Sequence, residues 1–225
     1  MDDSMPQTIA ILGGTGKEGK GLAYRWARAG YTVLIGSRTP QKASDAANEL
    51  NSMLGGRAHV EGVGNSKAAQ AADIIVLTVP YAAHRPTLES VKDVVQGKIL
   101  IDVTVPLVPP KVSKVQMPEA GSAAQEARQI LGEGVEICAA FQNISHVHLL
   151  GDGAVECDVL VTGTSKDARA ETIKLVEAAG LTGWAAGPIE NSVVIEGLTS
   201  VLIGINKQYG FKNAGIKIIG AKKQE

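Results

Sequence analysis

Apolar runs of strand length alternate along this chain with amphipathic stretches of helix length, the order that βαβ units and a parallel sheet leave in a sequence. Strands are predicted at residues 8–12, 32–36, 73–78, 98–102, 136–140 and 158–162, with a weaker one near Val60. Their near-continuous Ile, Val and Leu content fits strands covered by helices on both faces. Helices are predicted to begin near Thr15, Pro40, Ser66, Ala82 and Ser122, and two more occupy residues 166–179 and 191–209. The fold class implied is α/β, a Rossmann-type, doubly wound, mainly parallel sheet with a small C-terminal helical extension. Residues 103–120 are the least regular stretch, because Pro106, Pro109, Pro110 and Pro118 break any periodic pattern and forbid a central strand. A long loop of this kind in a compact domain tends to be functional or mobile.

Composition narrows the reading further. A chain of 225 residues buries one large core, with room for a small appendage. Hydrophobic residues at 44%, charged residues at 20% and 26 Gly exclude a disordered chain and fit an α/β protein with many tight turns. The net charge of -1 has no basic block behind it, so nucleic acid and anionic membranes are not expected partners. Cys138 and Cys157 each lie in an apolar stretch without metal-ligand spacing and read as buried free thiols. The short acidic start, MDDSMPQ, reads as neither a secretory signal nor a spanning helix, which makes a cytoplasmic location the expectation.

Gly14, Gly16 and Gly19 spell G-x-G-x-x-G directly after a predicted strand and at the mouth of a predicted helix. The first glycine permits the tight turn, the second lets backbone approach a pyrophosphate, and the third lets helix and strand pack closely. An NAD site usually ends its second strand on a carboxylate that accepts from the ribose 2'-hydroxyl. Here that strand ends Gly36, Ser37, Arg38, with Lys42 one helical turn on. A forked cation and a hydroxyl suit a 2'-phosphate, so NADP is the expected nucleotide. Residues 1–190 are read as the NADP-binding domain, and 191–225 as a helix and tail at the cleft or in a dimer contact. Thr78, Val79 and Pro80, at the carboxyl end of a strand, are placed beside the nicotinamide half.

Several segments together resemble a known family, the coenzyme F420-dependent NADP reductases. The carriers are IAILGGTGKEGKGLAYRWARAG, VLIGSR, the TVPY turn, GSAAQEA, CAAFQNIS before HLL, and GPIENSVVIEGLTSVLIGIN with GIKI. The resemblance implies NADP and the deazaflavin coenzyme F420 as cofactors. It implies a phosphate cradle at Thr15, Gly16, Lys17 and Glu18, a 2'-phosphate site at Ser37, Arg38 and Lys42, and a nicotinamide-side turn at Val79 and Pro80. It sets the deazaflavin side at Phe141, Gln142, Asn143, Ser145 and His146. Gln142 and Asn143 stand where members often carry histidine. A homodimer through the C-terminal part is the implied assembly, and the apolar stripe Val194, Ile195, Leu198, Val201, Leu202, Ile205 is its candidate surface.

Hydride transfer between two such cofactors needs placement rather than an acid or base, so no catalytic side chain is assigned. His146 and His148, with His84, lack a second cluster of ligands to complete a metal site, and no metal is expected. Trp26 and Tyr31 are read as packing residues, and Trp184 as packing under the last helix. Competing readings keep NADP and change the acceptor to a flavin, a ferric chelate or a small imine or ketone. Another is a sensor that binds NADP without turnover. An imine or ketone enzyme would need a proton donor near Pro80, where only Tyr81 and His84 are at hand.

Overall fold

The computed structural model describes residues 7–151 and 153–220. The acidic start at residues 1–6 and the end of the tail at 221–225 lie outside the described residues. Eight strands form one sheet in the order β3-β2-β1-β4-β5-β6-β7-β8. They are β1 (Thr8–Leu12), β2 (Thr32–Ser37), β3 (Val60–Gly64), β4 (Ile74–Leu77), β5 (Ile99–Asp102), β6 (Glu136–Ala139), β7 (Asp158–Gly163) and β8 (Thr182–Pro188). Every neighbouring pair is parallel except β6 and β7. The helices are α1 (Lys17–Arg28), α2 (Pro40–Leu54), α3 (Asn65–Ala71), α4 (Tyr81–Val91), α5 (Ala123–Leu131), α6 (Lys166–Ala178) and α7 (Ser192–Tyr209). This is the doubly wound α/β fold that the alternation of runs predicts.

Strand β1 shows why the runs are apolar without interruption. Successive side chains point to opposite faces, and here Ile9 and Ile11 enter one core while Ala10 and Leu12 enter the other. The first core is closed by Trp26 of α1, Ala47 of α2 and Leu175 of α6, the second by Leu88 of α4 and Ile130 of α5. Trp26 anchors three elements at once. Its Nε1 donates to the Leu175 carbonyl at 2.8 Å, and its ring meets Phe141 edge to face at 5.9 Å.

Two features differ from the sequence reading. Strand β8 was not foreseen, because its TGWAAGP sequence carries two glycines and no Ile, Val or Leu; an edge strand with both faces half open needs none. Trp184, expected under the last helix, stands in β8 instead, where its Nε1 donates to Asp158 Oδ2 at 2.8 Å. The tail at 212–220 lies along the start of β7, where the Asp158 N–H donates to the Ile216 carbonyl at 2.9 Å.

The reversal at β7 positions the site. A parallel β7 would require the chain after β6 to cross back to the opposite edge of the sheet. Because β7 is antiparallel, it begins where β6 ends, and residues 140–151 remain at the carboxyl edge of the sheet. The proline-rich 103–120 segment forms no helix or strand and covers α7. A Cβ on Gly197 would meet Met117 and Val115 at 3.3 Å.

Candidate functional site

A cleft of about 590 Å³ opens at the carboxyl edge of the sheet. Its first wall is the β1–α1 turn. Gly13 has φ 71°, a left-handed conformation that favours glycine, and a Cβ there would lie 2.4 Å from a Val79 methyl. A Cβ on Gly14 would strike the Ile11 carbonyl at 2.7 Å, and one on Gly19 would strike Gly14 Cα at 2.6 Å and Thr78 Oγ1 at 2.8 Å. Gly16 is different. A Cβ there would meet only the Gly13 carbonyl at 3.9 Å and would otherwise project into open space, which is the geometry for close approach by a ligand. Gly14 and Gly19 thus shape the turn from beneath, while Thr15, Gly16, Lys17 and Glu18 line the cleft.

Gly16 caps α1 with no side-chain hydrogen bond. The first N–H groups of a helix have no intrahelical partner, and those of α1 open into the cleft with a partial positive charge that favours anions. Asn65, which sequence reasoning missed, supports the turn from the start of α3, its Oδ1 accepting from Gly13 N–H at 3.4 Å. A Cβ on Gly36 would lie 2.7 Å from that oxygen, so glycine at 36 makes room for it.

Ser37, Arg38 and Lys42 line one end of the cleft, with Arg38 and Lys42 exposed and Ser37 buried. The Ser37 Oγ accepts from Thr39 N–H at 3.2 Å, which leaves its hydrogen free to donate. Two cations and a hydroxyl at the end of β2, with no carboxylate among them, match a phosphate monoester. Thr78, Val79 and Pro80 line the middle, opposite Val103, Thr104 and Leu107 of the proline-rich segment.

The far end is built by residues 141–144. Phe141 holds φ 73°, a strained value for a side chain with a Cβ. That turn sends its ring inward onto Trp26 and brings Gln142 to the cleft. Gln142 Nε2 donates to the Asp102 carbonyl at 2.7 Å, while its Oε1 is buried without a partner. Of the deazaflavin-side candidates, the structure brings only Gln142 to the cleft. Phe141 is in the core, Asn143 Nδ2 donates to the Asp158 carbonyl at 2.7 Å, and Ser145 and His146 sit on the turn beyond. Ile144 and Thr199 complete the wall; Thr199 Oγ1 donates to the Gln142 carbonyl at 2.7 Å. A one-dimensional reading has no signal for Thr199, which lies on a helical face otherwise read as apolar.

Behind Thr104 lies a polar cluster. Asp102 is fully buried; its Oδ1 accepts from Thr104 N–H at 2.9 Å and its Oδ2 faces His84 Nε2 at 2.7 Å. Glu126 accepts from Tyr81 Oη at 2.7 Å and from Arg85 Nη2 at 2.6 Å. Burial works against a charged His84, but the charge and hydrogen bond of Asp102, with Glu126 behind, outweigh it and hold its pKa above the usual value. Glu196 of α7 reaches across to α5, accepting from Ala123 N–H at 2.7 Å and Ala124 N–H at 3.1 Å. Those bonds favour its carboxylate, yet burial and the nearby charge of Asp102 prevail and push its pKa up to about 8. Neither His84 nor Tyr81 lines the cleft.

The remaining candidates are dispersed. His148 Nε2 lies 2.8 Å from Asn213 Nδ2, His146 is exposed and His84 is deep in the cluster just described. Among the described residues no three His, Cys, Asp or Glu side chains are grouped to hold a metal ion. Cys138 and Cys157 are free and buried, and burial pushes the Cys138 thiol up to about 11. Among the described residues no helix is long and apolar enough to cross a membrane.

Comparison with known proteins agrees with this geometry. Residues 8–106 match the family model described as NADP oxidoreductase, coenzyme F420-dependent. An F420-dependent NADP reductase of Methanothermobacter thermautotrophicus is 40% identical over 228 residues, covering 98% of this chain and 98% of the relative. One from Methanocaldococcus jannaschii is 37% identical over 218 residues, covering 93% and 97%. A crystal structure from Arthrobacter sp. FB24, provisionally named an F420-dependent NADP reductase, superposes with a TM-score of 0.78 at 25% identity, covering 94% of this chain and 99% of that one. The likeness spans nearly the whole of each relative, from the glycine turn to the last helix, and on that ground the chain belongs to the family of coenzyme F420-dependent NADP oxidoreductases.

Proposed function

We propose that this protein transfers hydride between NADP(H) and coenzyme F420, and that the cleft from Arg38 to Thr199 holds both. The observation that carries the reading is the continuity of that cleft, which joins an anion-binding helix end and a phosphate-binding trio to a second compartment. The residues fit both groups. The uncapped α1 N-terminus and the open Gly16 suit a pyrophosphate, and Ser37, Arg38 and Lys42 suit a 2'-phosphate. The buried, unpartnered Gln142 Oε1 suits a ring system that carries N–H donors.

The two bound cofactors supply the redox chemistry. The chain binds and orients them: α1 holds the pyrophosphate, Val79 and Pro80 flank the nicotinamide, and Gln142 fixes the edge of the deazaflavin. Val103, Val79 and Ile144 present apolar surface that keeps water from the junction. No side chain is required as acid or base. A reductase of imines or ketones would need a proton donor near Pro80, and the two groups there are engaged elsewhere, Tyr81 with Glu126 and His84 with Asp102.

The protein is a homodimer in this reading, because α7 leaves Val194 68% and Val201 47% exposed on the face away from its own core. Its two unpaired, buried thiols support a reducing, cytoplasmic setting. The test of the reaction is anaerobic mixing of the protein with NADPH and oxidised F420, following loss of the deazaflavin's visible absorbance, with NADH and FMN as controls. Rapid bleaching with NADPH alone is the expected result. Tight NADP binding without bleaching would overturn the choice of hydride partner and direct attention to Gln142 and Asn143.

A further inference from the structure

Glu18 is the second residue of α1, at the mouth of the anion-binding helix end. A glutamate in a first helical turn is ordinarily a carboxylate that satisfies open N–H groups. This one does not: its Oε1 is shut off from solvent and has no hydrogen-bond partner. It shares a helical face with Gly21 and Arg25, and that face is pressed against the loop after β6. A Cβ on Gly21 would lie 2.5 Å from Leu149 Cβ, and Arg25 donates to the Leu149 and His148 carbonyls at 2.9 and 2.8 Å. Glu18 lines the same cleft as Gly16, Lys17, Gln142 and Ile144.

A negative charge at this position would oppose the anion that α1 and Lys17 attract, since like charges a few ångströms apart repel strongly away from bulk water. We propose that Glu18 acts as a neutral carboxylic acid that donates from its other oxygen, Oε2, to an anionic oxygen of the bound dinucleotide, so that binding requires the proton. The proposal rests on the NADP reading above and assigns Glu18 a binding role, not a catalytic one.

The electrostatics agree. Burial alone pushes the Glu18 carboxyl up to about 8, with no charged partner to hold it ionised. The charged groups around it are otherwise placed. Lys17, Arg38 and Lys42 line the same cleft, Lys20 on the next turn is bonded to Glu49 of α2 at 2.8 Å, and His146 is exposed on the 3-10 turn packed on α1.

The experiment is NADP affinity measured by calorimetry from about pH 6.5 to about pH 9.5. Linkage of one required proton predicts a constant Kd below about pH 7.5, then a loss approaching about tenfold per pH unit, roughly thirtyfold in all. Glu18→Gln keeps a donor and cannot ionise, so it binds as tightly as the low-pH wild type and varies less than about threefold over the range. Glu18→Leu is also flat but about fivefold to tenfold weaker throughout, because the donor is lost. An infrared spectrum of the free protein at neutral pH checks the same point without NADP: the protonated-carboxyl stretch is weaker in Glu18→Gln than in the wild type by one carboxyl, the buried Glu196 acid remaining in both. A flat wild-type profile, or the same slope retained in Glu18→Gln, overturns the proposal. Failure of the wild type to bind NADP at any pH would instead overturn the nucleotide reading on which it rests.

Discussion

At the scale of single residues, one end of the cleft is built from glycines and a short run of cations and hydroxyls, the other from side chains that a backbone turn delivers. The glycines and the Ser37–Arg38 pair act through backbone shape and fixed charge, which sequence position alone conveys. Arg38→Ala tests the second of these. Loss of a charge-assisted contact to the 2'-phosphate should weaken NADP binding by about tenfold to a hundredfold. NAD, which lacks that phosphate, should bind nearly unchanged, and equal weakening of both in a titration would sink the assignment. Residues 141–146 were less readable because one backbone angle decides them. At φ 73° Phe141 turns its ring toward Trp26 and delivers its neighbour to the cleft, and nothing in the FQNIS string announces that conformation. Asn65 escaped for a similar reason. Its use depends on β3 lying beside β2, a pairing of distant segments.

At the scale of elements, the helices were read closely because several open on a recognisable signal. Pro40 starts α2, and Ser122 and Ser165 cap α5 and α6 by accepting from Gln125 and Ala168 N–H. Strand β8 was missed because an edge strand can be held by backbone pairing to β7 alone. The join between α5 and α7 was equally invisible, since Glu196 sits 73 residues from the N–H it accepts. That join makes stability depend on pH. The folded pKa of Glu196 is about 8 and the ordinary value 4.5, so the folded state binds the proton more tightly. Its contribution is whole below about pH 4.5 and is lost as pH rises through about 8; the raised His84 acts in the same direction. Unfolding free energy from denaturant titrations should thus decline between about pH 5 and pH 8. Glu196→Gln should lessen that decline without abolishing it, because Glu18 and His84 are raised as well, and an unchanged slope in this variant would remove Glu196 from the account.

At the scale of the molecule, the alternation of runs conveyed the parallel half of the sheet, but the reversal between β6 and β7 had no sequence signature. Association is the property that belongs to this scale. If α7 pairs with its copy, the double substitution Val194→Glu and Val201→Glu should halve the mass seen in sedimentation and leave the fold intact by circular dichroism. A wild type that sediments as a monomer at all concentrations would refute the dimer. The reversed strand has one more consequence. Because the loop after β6 never leaves the carboxyl edge, the two ends of the cleft are carried by one hydrogen-bonded sheet and are tied together by Arg25. The gap across which hydride must travel is then a dimension fixed when the chain folds, like the jaws of a gauge cut from one block, with no hinge between two bodies needed to set it.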